Sequence, residues 1–197
     1  MGAAGRPIAL RSARAPSSAT LLRQIDECLE ECGLRPVDLV GLVALRGPGS
    51  FTGLRVGLST VLGLRAALEI PATTFGNLEA MAAAVPAPGR VLAVADALRG
   101  EWLVQLFAAG APPYALAEAR LARPEAMAVG APDQVIGFDV GVLAAAEGWP
   151  GDLSLTESPP LAPLALALAS SGDIWDASGL THPVYLRPPV PVPVTKS

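Results

Sequence analysis

Between residues 18 and 32 apolar side chains recur at helical spacing. Leu21, Leu22, Ile25, Cys28, Leu29 and Cys32 share one face, and Arg23, Asp26, Glu27, Glu30 and Glu31 share the other. Ser17 or Ser18 is placed to cap this helix, Gly33 to follow its C-cap, and Pro36 to block its continuation. Leu39 to Leu45 is a short apolar run without polar alternation, which suits a buried parallel strand. A glycine-rich loop follows over residues 46 to 53, and then a predicted helix to about Glu69, ended by Pro71. That helix is apolar on nearly every side, a pattern that predicts burial on more than one side. It carries Gly57 and Gly63, and a glycine inside a helix costs about 1 kcal/mol relative to alanine. Close approach of a neighbouring element is the usual offset. Ser59, Gly63 and Ala67, spaced i, i+4, i+8, mark one such packing seam.

Weaker patterns fill the remainder. Residues 7 to 12 read as a strand end, residues 70 to 74 as the start of a strand, and Asn77 to Ala84 as a helix. Pro86 to Gly89 is a turn-rich break, which divides the chain into residues 1–88, with the glycine loop, and residues 89–197. Val91 to Ala95 and Trp102 to Ala108 read as a hairpin turning over Asp96 to Glu101. Residues 110 to 160 are rich in Pro, Ala and Gly, with Val135 to Phe138 as a candidate strand. Leu161 to Ser170 is a candidate helix. The tail from Pro188 to Val194 is mostly alternating Pro and Val, and predicts extended or polyproline-like chain. No internal repeat is visible. Strand–helix alternation followed by a hairpin predicts an α/β fold with a mainly parallel or mixed sheet.

Composition narrows the function classes. Of 197 residues 51% are hydrophobic and 16% charged, which argues against extensive disorder. The longest apolar stretch, Gly53 to Pro71, is broken by Arg55, Arg65 and Glu69, so no membrane span is expected and the default location is cytoplasmic. The net charge is −4 and the 14 basic residues are scattered, so any role with RNA is expected to run through a partner. Cys28 and Cys32 extend the apolar stripe of the first helix and read as small buried hydrophobes. A metal pair there lacks further ligands, because the sole histidine is His182.

The loop sits between a strand and a helix N-terminus, a placement that suits anion binding. Gly47, Gly49 and Gly53 would let a phosphate approach the backbone, and Ser50 and Thr52 could add hydroxyl donors. The spacing fits neither G-x-G-x-x-G, since Gly53 comes one residue late, nor a P-loop, since no Lys precedes a Ser or Thr. A G-x-S-x-G nucleophile is also absent, and His182 lies in a Pro-flanked loop. A phosphate-binding loop and a purely structural tight turn both remain open on spacing alone.

As a longer string the segment is more specific. Gly47-Pro48-Gly49-Ser50-Phe51-Thr52-Gly53-Leu54-Arg55-Val56-Gly57, with Gly63-Leu64 further on, resembles the signature of the TsaB (YeaZ-like) family of tRNA threonylcarbamoyladenosine biosynthesis proteins. Asn77-Leu78-Glu79-Ala80-Met81-Ala82 resembles that family's S-S-L-E-A-L-A helix. Asp96-Ala97-Leu98-Arg99-Gly100-Glu101-Trp102 resembles its D-A-R-R-G-E-V-Y hairpin, and Pro183-Val184-Tyr185-Leu186-Arg187 its closing P-x-Y-L-R. The resemblance covers residues 17 to 107 well, the tail modestly and residues 110 to 180 hardly at all.

The resemblance implies an actin-like ATPase (ASKHA) superfamily fold in two subdomains. It implies a non-catalytic subunit that scaffolds the catalytic paralogue TsaD as a heterodimer, with TsaE as ATPase helper, in threonylcarbamoyladenosine modification of tRNA next to the anticodon. Contact with tRNA would be indirect, and no cofactor would be bound by this chain alone, ATP being confined to the complex. The implied partner interface is formed by the helices at residues 18–32 and 53–69, with Leu21, Leu22, Ile25, Leu54, Val56, Gly57, Ser59, Thr60, Gly63 and Ala67 as its candidates. A homodimer through the same helices is compatible with this. The related catalytic subunit carries an H-x-x-x-H metal pair; here the aligned positions hold Asn77 and Met81, which cannot replace two imidazoles on iron or zinc. One departure matters. The family opens with a strand ending in D-T-S/T, and the sequence as it stands has no such turn before the first helix. The expectation is a central sheet short of its first strands, with an exposed edge. The competing reading is a stand-alone nucleotide-binding protein or ATPase using the glycine loop.

Overall fold

A computed structural model describes residues 9–11, 18–86, 88–171 and 175–185. Helix α1 (Ser18–Glu31) is followed by a 3-10 turn over Pro36–Asp38, strand β1 (Leu42–Leu45), helix α2 (Phe51–Leu68), strand β2 (Ala72–Phe75) and helix α3 (Asn77–Ala82). Strands β3 (Arg90–Asp96) and β4 (Trp102–Ala108) form the expected hairpin. Beyond it lie β5 (Tyr114–Ala115), β6 (Arg120–Ala122), β7 (Gln134–Gly137), α4 (Val140–Ala144), β8 (Ser154–Glu157) and α5 (Leu161–Ser170). The helices and the longer strands match the expected positions. Strands β5, β6 and β8 and helix α4 carried no legible signal. Of the strand end expected at residues 7 to 12, residues 9–11 are described and are not in a strand. The expected extended tail, 188–194, lies outside the described residues, as do Ser17 and the side chain of Ser18.

Two sheets result. β1 and β2 pair in parallel. The other sheet runs β5–β4–β3–β7–β8, with β6 beside β5 on the outer edge of β4. β3 and β4 are antiparallel, whereas β3, β7 and β8 are mutually parallel. Alternation along the strands sorts the core. Leu92, Val94, Trp102, Val104 and Val135 pack on one face with Met127, Val140 and Leu143. Val91, Ala93, Leu103, Phe107 and Ile136 pack on the other face with Leu78, Met81 and Ala82 of α3. Ala80 of α3 turns the opposite way, towards Phe75, Val43, Leu45 and α5, so α3 is wedged between the two sheets. The remaining face of β1–β2, with Leu42, Ala44 and Ala72, meets Leu58, Val61 and Leu62 of α2 and Leu180 of the C-terminal strap.

The structure also repeats itself where the sequence shows no repeat. β1–α2–β2–α3 and β7–α4–β8–α5 are each a parallel pair with a helical crossover and a following helix. In each, the first strand's end accepts a bond from just beyond the second: Asn77 N–H to Gly47 O (2.6 Å), and Ser158 N–H to Gly137 O (2.6 Å).

The strap, residues 175–185, closes the fold on the glycine loop. The Trp175 ring lies on Gly41, a 3-10 turn spans Ser178–Thr181, and Val184 N–H donates to Arg46 O at 2.7 Å. Hydrogen bonds from the Ser178 hydroxyl, then from its N–H, and then the Arg46 charge hold the Asp176 carboxyl below its ordinary range. Gly47 has φ +106°, and a Cβ there would overlap the Val184 carbonyl oxygen. At the β3–β4 tip, Leu98 (φ 65°), Arg99 (φ 60°) and Gly100 (φ 73°) are consecutively left-handed. Asp96 Oδ1 accepts the Leu98 N–H, and Ala97 N–H donates to Glu101 O.

This backbone sets the stability of three variants. Gly47→Ala meets both an unfavourable φ and a backbone clash, and should lower unfolding free energy by roughly 2–4 kcal/mol. Gly100→Ala meets the φ penalty with open space around it, and should lose about 1 kcal/mol. Urea denaturation of both variants checks the ranking. Arg99→Gly relieves a left-handed non-glycine residue and should raise stability by about 0.5–1 kcal/mol; a lower melting temperature would contradict this account of the turn.

Candidate functional site

The glycine loop is built from its ends inward. Ser50, in extended conformation, is the N-cap of α2. Its Oγ accepts the Gly53 N–H at 3.1 Å and its carbonyl accepts the Leu54 N–H. Asn77 holds the other side: its N–H bonds Gly47 O, and its Nδ2 donates to Pro48 O at 3.0 Å. Gly49 forms a parallel bridge with Tyr185 of the strap. The Leu54 side chain packs on Gly49, so Leu54 covers the loop rather than facing outward. Ser50 and Thr52 are exposed, Gly49 and Gly53 half-buried, and Gly47 buried. Much of the loop's hydrogen-bonding capacity is therefore spent inside the chain.

The two α3 residues aligned with a metal pair have different tasks. Met81 is fully buried among Leu78, Val85, Val91 and Ile136. Asn77 spends its amide on the loop, while its Oδ1 is buried without a hydrogen bond among the described residues, as is Arg46 Nε. Beside them, a cleft of about 430 Å³ lies between the loop (Arg46–Pro48), the start of α3 and the face of β4. Arg46, Glu79 and Glu118 line it, one cation against two carboxylates, so its walls offer no surplus of positive charge to a polyphosphate.

Helices α1 and α2 lie side by side and present the other candidate surface. Of the 18 residues of α2, only Leu58 is buried. The all-round apolar pattern thus differs from its expected outcome: the second covered side is missing among the described residues. Gly57 and Gly63 sharpen the point. A Cβ at either would meet nothing within 4 Å, so no neighbour among the described residues requires the glycine. Ser59, Gly63 and Ala67 of the seam are exposed, as is Leu22 on α1. Leu21, Ile25, Gly57 and Thr60 instead line an apolar groove of about 490 Å³ between the helices, β1 and residues 9–11. Val56 lies with Arg55, Ser59 and Thr60 around a shallow outer depression. Cys28 and Cys32, expected to be buried, are half-buried free thiols, and Cys28 lines the same groove.

One feature of this surface escaped the sequence. Arg55 lies over the Phe51 ring, 3.9 Å from its centroid, and Tyr185 packs on the same ring at 5.0 Å. The i, i+4 spacing of Phe51 and Arg55 is a legible signal. Tyr185 arrives through the strap; the closing motif from Pro183 marks the residue, and nothing local to it names Phe51 as its neighbour. The surface is also divided in charge. Asp26, Glu27, Glu30 and Glu31 lie on α1, where Glu27 and Glu31 pair with Arg11, whereas α2 contributes Arg55 and Arg65. Among the described residues no cluster of three or more His, Cys, Asp or Glu could hold a metal ion, and no helix is long and apolar enough to cross a membrane.

Comparisons with known proteins agree with this architecture. Residues 11–140 match the family model described as TsaD, tRNA N6-adenosine threonylcarbamoyltransferase. The tRNA threonylcarbamoyladenosine biosynthesis protein TsaB of Bacillus subtilis is 32% identical over 91 residues, 46% of this chain and 40% of that protein. The TsaB of Haemophilus influenzae is 44% identical over 64 residues, 32% of this chain and 27% of that protein. The chain thus spans less than half the length of these curated relatives. A solved structure of YeaZ from Pseudomonas aeruginosa superposes with a TM-score of 0.67 at 26% identity, covering 85% of this chain and 83% of that one. The mixed α/β architecture is accordingly the actin-like fold. The chain belongs to the threonylcarbamoyltransferase (TsaD) family and is TsaB/YeaZ-like within it.

Proposed function

We propose that this chain is a non-catalytic subunit required for threonylcarbamoyladenosine modification of tRNA, and that it scaffolds a TsaD-like catalytic subunit through the exposed face of α1 and α2. The observation that carries this reading is α2, an apolar helix of 18 residues with one buried residue and two glycines that nothing among the described residues explains. Glycines at such positions let a second helix approach closely, and the combined deficit of about 2 kcal/mol relative to alanine is then offset by that packing. The names of the relatives supply the process, tRNA threonylcarbamoyladenosine biosynthesis. The buried Met81 and the loop-bound Asn77 support a non-catalytic role, since this α3 offers no imidazole pair to a metal. A TsaE-like ATPase and tRNA would join through the assembled complex. A homodimer through α1 and α2 would compete for the same face.

The bonds within the glycine loop favour a structural loop over a stand-alone nucleotide site. Asn77, Val184 and Tyr185 engage its backbone, and Ser50 Oγ takes the Gly53 N–H. Isothermal titration of the isolated chain with ATP should give no binding heat, and clear binding without a partner would overturn this part of the reading.

The interface is tested at Gly63. Gly63→Arg should abolish co-purification with the TsaD-like subunit, and an undiminished yield would sink the proposal. Gly63→Ala separates folding from docking. With open space around the position, it should raise the stability of the isolated chain by up to about 1 kcal/mol in thermal melts. Loss of partner by Gly63→Arg with an unaltered melt then reports on the surface alone.

A further inference from the structure

Arg55 stands at the head of an exposed row on α2. Ser59, Gly63 and Ala67 follow it at four-residue steps, and all four residues are exposed. A long charged side chain in such a place is ordinarily a mobile one, and here it is held. Its guanidinium carbon lies 3.9 Å from the centroid of the Phe51 ring, one turn back along the helix. Phe51 is backed in turn by the Tyr185 ring, with centroids 5.0 Å apart and an interplanar angle of 33°. Tyr185 is fixed through its backbone bridge to Gly49, in the loop that leads into α2. Phe51 is 44% exposed, so this ring fills no core. It serves as a platform for the arginine.

The charge positioned there is unspent. A guanidinium carries five N–H donors in a flat fork. The ion pairs among the described residues engage Arg11, Arg23 and Arg35, and none of them reaches Arg55. Of the chain's 18 acidic residues, only Asp173 lies outside the described ones. The surroundings select what completes the fork. A nucleic-acid backbone would bring its row of phosphates against Asp26, Glu27, Glu30 and Glu31 on the adjacent α1, and against a chain of net charge −4. One carboxylate on a protein surface brings a single charge. It also matches the fork in plane, through two parallel N–H···O bonds.

We propose that Arg55 is a specificity-determining residue of the docking face, and that it pairs with a carboxylate of the docked subunit. Phe51 and Tyr185 are its positioning residues: they hold the fork at the head of α2 before the partner arrives, so less side-chain freedom is lost on docking. This rests on the proposed docking through α1 and α2, and adds to it the chemistry of one contact. The last residues of the strap thereby take part in partner choice through a ring that touches no partner atom.

Isothermal titration of the full chain against the TsaD-like subunit tests the contact. Arg55→Glu should weaken binding by at least about tenfold, and Phe51→Leu, which keeps the charge and removes its platform, by about threefold. Acidic residues on the docking face of the TsaD-like subunit are then changed one at a time to lysine. One such change should weaken binding of the unmodified chain and restore binding of Arg55→Glu, a rescue that a misfolded variant could not give. Unchanged affinity in Arg55→Glu, or rescue by none of the lysines, would overturn the proposal. Loss of binding to tRNA alone, with affinity for the subunit unchanged, would assign Arg55 to a phosphate and overturn it too. Failure of the unmodified chain to bind the subunit would instead bring down the docking reading itself, and this contact with it.

Discussion

The structure turns on the absence of one side chain. At Gly47 the backbone takes a left-handed φ and lies against the Val184 carbonyl, with no room for a Cβ between them. Because they touch there, Arg46 O can accept from Val184 N–H while Gly47 O accepts from Asn77 N–H. Four elements thus meet at one turn: the end of β1, the cap of α2, the start of α3 and the C-terminal strap. A loop with the outline of a phosphate cradle becomes a knot that ties the last part of the chain to the first. Gly47 then serves close packing of backbone on backbone.

That knot also orients α2. Ser50 caps the helix at the loop, Leu54 covers Gly49, and Leu58 is the one residue driven fully into the core. Beyond Leu58 the helix is held by half-buried contacts on one side and leaves Ser59, Gly63 and Ala67 outward. The packing inside the chain therefore fixes the direction of α2 without consuming its small-residue seam. Arg55, laid over Phe51 with Tyr185 on the same ring, is oriented by the same junction, so the near end of this surface is more ordered than an isolated arginine would be.

Much of this was legible from residue pattern. The run from Leu161 to Ser170 is apolar at helical length and forms α5 with those bounds, and the hairpin follows from two β-rich runs around a short polar turn. The failures have physical causes. β5, β6 and β8 have two to four residues each and exist through pairing with β4 and β7, so no periodicity of their own could reveal them. The cysteines and α2 were expected to be buried because an apolar face normally finds a neighbour; among the described residues the groove beside β1 is open. The glycine loop was visible as a turn before a helix. What its hydrogen bonds go to was not, because Asn77, Val184 and Tyr185 reach it from far along the chain.

The thin cover of α2, with one residue fully buried, has a consequence for the protein's life in a cell. If a partner covers that helix as proposed, a chain made in excess of it leaves Phe51, the small residues of the seam and the half-buried apolar side chains beside them open to solvent, the kind of feature that chaperones and proteases read as incomplete folding. Its two glycines deepen the effect, since an uncovered helix weakened by about 2 kcal/mol frays and opens more often than its neighbours. Under the proposed scaffolding role, surplus copies would be marked for removal by the same surface that docks the partner. The amount of the protein that survives would then be set by the supply of that partner and not by its own synthesis.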